Sequence, residues 1–273
     1  MERKLMATKA QAQRFNTTAG EHQKQILNLL RSVSRTRGLS GVFADWIEIC
    51  AIALARMDQA QFEVREARYL QIIKQYEQSE VESFSKALAH LTLAYEECFA
   101  EGDVAFSDIL GSLYMMLDMG SSDTGQFFTP YEVSRMMAMI QIEGARELIS
   151  EKGFVQVMEP AAGAGGMIIA MAQGLHEAGS NYQRTMHATA IDIDARCVHM
   201  CFVQLTMLHI PAVVIHGNAL SGETWAQWST PAHIMGAWQV RLANRTHAIK
   251  PIQGDTKPEQ RLGEHERGQI ALF

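Results

Sequence analysis

The chain has few of the features that mark secreted, membrane-spanning or fibrous proteins. Its 273 residues include only four cysteines, too few for a disulfide scaffold, so a reducing cytoplasm is the simpler environment. No apolar run approaches the roughly 20 residues that a transmembrane helix needs. The first residues lead into a stretch rich in Gln and Thr, so no signal peptide is expected. These absences predict a cytoplasmic protein without a membrane partner.

The composition is that of a folded protein, with 47% hydrophobic and 20% charged residues. The length suffices for one sizeable domain, or for one domain with an appendage. The net charge of −6 conceals an asymmetry, because residues 1–40 carry eight Lys and Arg but only two Glu. A basic arm on an acidic body indicates contact with the phosphates of a polyanion. A solvated helix face would give the same charge pattern.

The first half of the sequence predicts a basic arm and then helices. Residues 1–40 are polar and Gln-rich, which favours a mobile arm with a helix near residues 23–33. A Glu- and Gln-rich stretch at residues 59–87 predicts a long amphipathic helix. No glycine occurs from residue 42 to residue 101. We therefore expect an N-terminal helical subdomain at residues 41–124.

The second half alternates short β-branched runs, glycine turns and helical stretches. Strands are predicted at residues 154–158, 187–193 and 211–216, and the helices between them at residues 167–176 and 196–208. Strands that alternate with helices imply a parallel sheet with right-handed crossovers. We expect an α/β domain at residues 125–249 and a polar tail at residues 250–273.

Three features of this half carry chemistry. The sequence Glu-Pro-Ala-Ala-Gly-Ala-Gly-Gly at residues 159–166, here called the glycine loop, joins the first strand to its helix. Glycines let a backbone approach a ligand, and a helix N-terminus supplies unpaired N–H groups. Asp192 and Asp194 end the second strand, where a carboxylate can accept both hydroxyls of a ribose. Asn218 follows the third strand and faces the ligand crevice of an open α/β sheet. An ordinary tight turn would explain the glycines alone.

These segments resemble N6-adenine DNA methyltransferases, in particular the modification subunits of type I restriction systems. The glycine loop looks like their S-adenosylmethionine loop, and Gly-Gln-Phe-Phe-Thr-Pro at residues 125–130 matches their other cofactor motif. Further similar segments are residues 106–111 with Tyr114, residues 190–194 and residues 217–220. The resemblance spans roughly residues 104–240.

The resemblance implies a Rossmann-like methyltransferase fold, S-adenosylmethionine as the cofactor, and duplex or single-stranded DNA as a partner. The glycine loop would cradle the methionine end of the cofactor. Asp192 would bind the ribose, and Asn218 would reach the adenine. The remaining residues implied for the cofactor site are Gln126, Phe127 and Thr129, which would close it from the side, and Glu159, Ala161, Gly163 and Gly165 in the loop.

The family's catalytic motif, Asn/Asp-Pro-Pro-Tyr/Phe after the fourth strand, is absent from this sequence. In that motif the flipped adenine stacks on the aromatic ring, and the polar groups accept hydrogen bonds from N6. The candidate in its place is Thr230, Pro231, Ala232 and His233. Thr230 would offer a weak acceptor, Pro231 would keep the carbonyl, and His233 would stack in place of Tyr. The alternative is a loop that has lost the chemistry.

Only about 40 residues follow this segment, too few for a full methyltransferase sheet. The sheet is then truncated, or another copy or a partner subunit completes it. No second pair of ligands accompanies Cys197 and Cys201, so core packing is expected there and no metal site.

The last five residues allow two interpretations. Gln269, Leu272 and Phe273 have the spacing of the pentapeptide by which bacterial DNA enzymes bind the replicative sliding clamp. Alternatively, Ile270, Leu272 and Phe273 are acceptable residues in a last strand added to the sheet. The docking peptide is the interpretation that we favour from the sequence.

Two functions follow from the resemblance. The first is an S-adenosylmethionine-dependent methyltransferase of phage or plasmid type that acts on N6 of adenine in DNA with low sequence specificity. The second is an inert cofactor-binding pseudo-methyltransferase that regulates or decoys a restriction-modification system. The missing motif supports the second, as does an excess of fifteen acidic over five basic residues between Asp45 and Asp123, which could mimic the charge of DNA.

Overall fold

The first part of the chain is helical, as predicted. The computed structural model describes residues 20–33, 38–100, 106–116, 128–248 and 269–271. Its first six α-helices are α1 (Glu21–Val33), α2 (Leu39–Leu54), α3 (Phe62–Ile73), α4 (Gln78–Ala100), α5 (Ile109–Met116) and α6 (Tyr131–Lys152). A 3-10 turn at Gln59–Gln61 precedes α3.

Helix α1 confirms the helix predicted near residues 23–33, but its packing shows that this part of residues 1–40 is not a mobile arm. Its apolar side chains at helical spacing, Ile26, Leu27, Leu30 and Val33, are buried in the main core. The helix packs along α4, and His22 Nδ1 lies 2.9 Å from His90 Nδ1 in that contact. The second half of the basic arm is therefore part of the helical subdomain. Residues 1–19 lie outside the described residues.

The long helix predicted at residues 59–87 is two helices. Helix α3 ends at Ile73 and α4 begins at Gln78. Between them Tyr76 is buried, packs edge-on against Phe84, and donates its hydroxyl hydrogen to Asp45. The amphipathic periodicity continues across this break, so the pattern alone predicts one helix. The chain instead leaves the helix between Ile73 and Gln78, where Tyr76 is buried.

The second half is an α/β unit in which the three predicted strands and the two predicted helices are present with bounds within two residues of the prediction, and five further elements were not among those predicted. In chain order the elements are β1 (Val155–Glu159), α7 (Gly166–Glu177), α8 (Tyr182–Thr185), β2 (Met186–Asp192), α9 (Ala195–Met207), β3 (Ala212–Asn218), β4 (Glu223–Ser229), α10 (Pro231–Met235), α11 (Trp238–Ala248) and β5 (Gln269–Ala271). The strand order is β4-β3-β2-β1-β5, and all pairs are parallel except β3 with β4. Neighbouring β3, β2 and β1 give the Rossmann-like order, which confirms the predicted fold class.

Strand β5 bears on the two interpretations of the last residues. Gln269, Ile270 and Ala271 pair in parallel with Gln156, Val157 and Met158 of β1. The structure therefore shows the strand alternative for these three residues, and the docking interpretation is not the conformation described. Leu272 and Phe273 lie outside the described residues.

The helical subdomain and the sheet share one continuous hydrophobic core. Buried side chains of α2 and α4 belong to the same cluster as those of β1, β2, α7 and α9. Within the described residues, no helix is both long and apolar enough to cross a bilayer. The shared core fixes the helical subdomain against the α/β unit, where α2 packs on α9.

Candidate functional site

The glycine loop occupies the carboxyl end of β1, and two of its glycines adopt left-handed backbone conformations. Gly163 has φ +52° and Gly165 has φ +95°, values that side chains with a Cβ rarely adopt. A Cβ on Gly163 would lie 3.1 Å from Cδ1 of Phe128, and one on Gly165 would lie 3.0 Å from Sγ of Cys201. Backbone conformation and limited space thus both favour glycine at these two positions.

Asp192, at the end of β2, holds this loop in place. Gly163 N–H donates to Asp192 Oδ2 at 2.8 Å, and Asp194 N–H donates to Oδ1 at 2.9 Å. Ala162 N–H adds a bond of 2.9 Å to Ile191 O. Burial raises the pKa of the Asp192 carboxyl, and the two backbone N–H bonds oppose that shift. Each carboxylate oxygen keeps acceptor capacity for a ligand hydroxyl.

Glu159, the last residue of β1, is a buried carboxyl beside the loop. It accepts a hydrogen bond of 3.1 Å from Ala161 N–H. Burial raises the pKa of Glu159 from 4.5 to about 7, and the nearby Asp192 charge adds to the rise. The carboxyl group therefore takes up a proton at a pH where other glutamates are ionised.

This raised pKa predicts a pH-dependent stability. The Glu159 carboxyl binds its proton more tightly in the folded chain than in the unfolded chain. The folded protein therefore loses stability as the pH rises from 4.5 to about 7. Glu159→Gln keeps an acceptor for Ala161 and removes the ionisation. We expect the variant to have a higher melting temperature than wild type near about pH 8. At lower pH its melting temperature should change less with pH than that of wild type. Exposed Glu151 provides the control Glu151→Gln, and equal pH profiles for both variants and wild type would contradict the prediction.

Asn218 ends β3 at the same sheet edge. Its Oδ1 accepts from Leu220 N–H at 3.0 Å and from Ser221 N–H at 3.3 Å, so the side chain shapes the turn that follows. Glu159, Asp192 and Asn218 thus end three adjacent parallel strands, as the sequence predicts. Ligands of open α/β sheets bind at this edge.

The upstream motif at residues 125–130 contacts the glycine loop through Phe128, for which the sequence predicted no individual role. Phe128 stacks on Tyr114 with 5.3 Å between ring centroids, and its ring lies against Gly163. The position of Phe128 inside the motif at residues 125–130 was the sequence feature that could have indicated this contact. Thr129 is exposed, and Gln126 and Phe127 lie outside the described residues.

The predicted catalytic segment lies at the amino ends of the parallel strands, whereas the glycine loop lies at their carboxyl ends. Because β4 runs antiparallel to β3, Ser229 pairs with Val213 at the start of β3, while Glu223 pairs with Asn218 at its end. A seven-residue strand separates the two edges by about 20 Å at roughly 3.3 Å per residue. Thr230, Pro231 and His233 are therefore remote from the glycine loop.

Their contacts are structural. Thr230 is fully buried, and its Oγ1 accepts from Ala212 N–H and donates to Ile210 O, each at 2.9 Å. It also caps α10 at the His233 N–H. His233 Nδ1 lies 2.9 Å from Nε2 of His187, at the start of β2. The assignment of Thr230, Pro231 and His233 to catalysis is corrected by this geometry.

The two cysteines of α9 are core residues. Cys197 and Cys201 are buried, and burial raises the pKa of both thiols. Among the residues that the structure describes, no three His, Cys, Asp or Glu side chains come together as a metal site would require.

Comparison with known proteins bears on this geometry. A sequence model of the N-6 DNA Methylase family matches residues 105–242. A crystal structure described as a class I S-adenosylmethionine-dependent methyltransferase from Listeria monocytogenes matches with 15% identity and a TM-score of 0.40, over 74% of this chain and 55% of that one. The chain thus spans little more than half the length of that protein. A search of curated proteins finds no match. The family match covers just over half of the sequence and includes the glycine loop, Asp192 and Asn218, and the chain therefore belongs to the N-6 DNA methylase family.

Proposed function

We propose that the chain binds S-adenosylmethionine at the carboxyl edge of its sheet. The observation that carries the proposal is the 2.8 Å bond between Gly163 N–H and Asp192 Oδ2, which fixes a loop of small residues beside a carboxylate. The loop would receive the methionine part, Asp192 the ribose hydroxyls, and Asn218 the adenine. The left-handed glycines and the spare acceptor capacity of Asp192 fit this ligand.

The bound cofactor would supply an activated methyl group on its sulfonium. Methylation of N6 of adenine in DNA, with low sequence specificity, is the first candidate function, and membership of the N-6 DNA methylase family supports it. This function needs an acceptor for the N6 hydrogens near the glycine loop. Thr230 and His233 do not provide that acceptor from the opposite edge.

The second candidate is an inert cofactor-binding protein that regulates or decoys a restriction-modification system. The specific observation in its favour is that the segment standing in for the catalytic motif serves as a buried cap of α10. The acidic excess between Asp45 and Asp123 adds support. The geometry favours this candidate over the first.

Two measurements test the proposal. Calorimetric titration of wild type with S-adenosylmethionine should give binding, and Asp192→Ala should weaken it by about 1.5–3 kcal/mol, the range for hydrogen bonds to charged groups. Absence of heat with wild type would reject cofactor binding. Transfer of labelled methyl groups to duplex DNA, single-stranded DNA and RNA then separates the candidates, since only the first yields N6-methyladenine.

The DNA contact is proposed to come from the start of the basic arm. Replacing Arg3, Lys4, Lys9 and Arg14 by Gln removes four positive charges and leaves the packed helix α1 intact. We expect weaker DNA binding and a shallower salt dependence, because each phosphate contact releases counterions. Cofactor affinity should not change. An unaltered salt slope in fluorescence anisotropy would reject the arm's role.

Sliding-clamp docking is not part of our proposal, because Gln269 would have to leave its pairing with Gln156. Association with a partner subunit or a second copy stays a proposal from the sequence; β4 and β5 are the outermost strands of the sheet in the described part of the chain. A cytoplasmic location remains the proposal made from composition.

A further inference from the structure

Among the described residues near the glycine loop, Gln204 in the last turn of α9 is a polar side chain with four hydrogen bonds. It is fully buried. Its Oε1 accepts from Leu110 N–H at 3.0 Å and from the Tyr95 hydroxyl. Its Nε2 donates to Asp108 Oδ1 at 2.7 Å and to Ala164 O at 2.8 Å. A backbone N–H can only donate and a carbonyl can only accept, so the amide orientation is fixed.

This amide joins the glycine loop to two helices of the helical subdomain. Tyr95 belongs to α4, while Asp108 caps α5 by accepting from Gly111 N–H at 2.8 Å. The other Asp108 oxygen lies against Gly166, where a Cβ would come within 3.0 Å of it. Gln204 therefore holds the loop at Ala164, a second point besides the bond of Gly163 to Asp192.

The bond to Ala164 contributes to the loop conformation. Ala164 is buried, so its carbonyl would have no partner without the Gln204 donor, and an unpaired buried acceptor is costly. The loop would then relax from the left-handed conformations at Gly163 and Gly165. We infer that Gln204 is a positioning residue that holds the glycine loop in the shape that receives the methionine part of S-adenosylmethionine. This inference rests on the proposed cofactor binding.

The test compares Gln204→Met with Gln173→Met. Gln173 is a similarly buried glutamine on α7, bonded at 2.7 Å to Tyr131 and to Glu177 and not to the loop. The ligands are S-adenosylmethionine and 5′-methylthioadenosine, which shares the nucleoside but lacks the amino acid. For Gln204→Met we expect about tenfold weaker S-adenosylmethionine binding and less than about twofold change for 5′-methylthioadenosine. Gln173→Met should change neither.

Equal losses for both ligands, or no loss for S-adenosylmethionine, would overturn the positioning role. Hydrogen exchange of the loop amides in the ligand-free protein gives an independent readout, and Gln204→Met should speed exchange about tenfold relative to Gln173→Met. If wild type binds neither ligand, the proposed function fails, and the exchange result alone decides whether Gln204 positions the loop.

A milder variant covers the case in which Gln204→Met does not fold. Tyr95→Phe removes one of the two bonds that orient Gln204 Oε1. We expect about threefold weaker S-adenosylmethionine binding with 5′-methylthioadenosine unchanged. Unchanged S-adenosylmethionine affinity in Tyr95→Phe, or loss of folding in both variants, would overturn the inference, since the network would then serve stability alone.

Discussion

Replacing Gly163 by valine is expected to abolish S-adenosylmethionine binding. Gly163 has φ +52°, and β-branched residues strongly disfavour that conformation. A Cβ would also come within 3.1 Å of the Phe128 ring. The loop would have to move, and its bond to Asp192 would be lost. We expect affinity to fall by at least about a hundredfold, equivalent to about 2.7 kcal/mol, as measured by calorimetric titration.

Gly179 provides the matched control. It has φ +78° with no atom within 4 Å of the place that a Cβ would take, and it lies before β2, at the edge remote from the loop. Gly179→Val therefore imposes comparable backbone strain without entering the site. Both variants should lose thermal stability, and only Gly163→Val should lose binding. Equal affinity in the two variants would mean that the ligand does not contact this loop.

The second large effect is expected on stability. Thr230→Val keeps the side-chain shape but removes the hydroxyl that bonds Ala212 N–H and Ile210 O and caps α10. Two buried backbone groups would lose their partner, so we expect a loss of about 2–3 kcal/mol in the free energy of unfolding. Chemical denaturation measures this loss. Affinity for S-adenosylmethionine should stay at the wild-type value.

Thr185→Val is the control for this change, because Thr185 is only half-buried and its hydroxyl bonds only Asn181 O among the described contacts. It should unfold close to wild type. If Thr230→Val kept its stability but lost methyl transfer or cofactor affinity, the structural role of Thr230 would be refuted. Thr230 would then be assigned to the functional site.

The misplacement of Thr230 has a physical origin that the sequence contained. Parallel strands need a crossover of a dozen or more residues, whereas a hairpin needs only a few. Only four residues separate Asn218 from Glu223, so the strand after β3 had to be antiparallel and to carry Thr230 to the far edge. The segment at Thr230 follows the third strand in the order expected of the family's catalytic motif. The antiparallel direction of β4 nevertheless places this segment away from the glycine loop.

The glycine loop and the acidic ends of β1 and β2 were predictable because their signals are local. Glycine spacing and strand periodicity are present within about 40 residues. Gln204 was not predictable, since its partners Tyr95, Asp108 and Leu110 lie 94 to 109 residues away along the chain. Within an apolar helix, nothing local distinguishes such a glutamine from a surface residue.

The pairing of β5 with β1 has a consequence for the order of folding. Gln156 must find Gln269 across more than a hundred residues of intervening chain, whereas α7 and α9 connect their strands over short distances. Contacts of such long sequence separation form slowly, because loop closure costs entropy before the contact stabilises it. Until β5 docks, the outer edge of β1 exposes unpaired backbone groups that can pair with another chain. We therefore expect refolding at high protein concentration to lose yield to aggregation through the edge of β1, the strand that leads directly into the glycine loop.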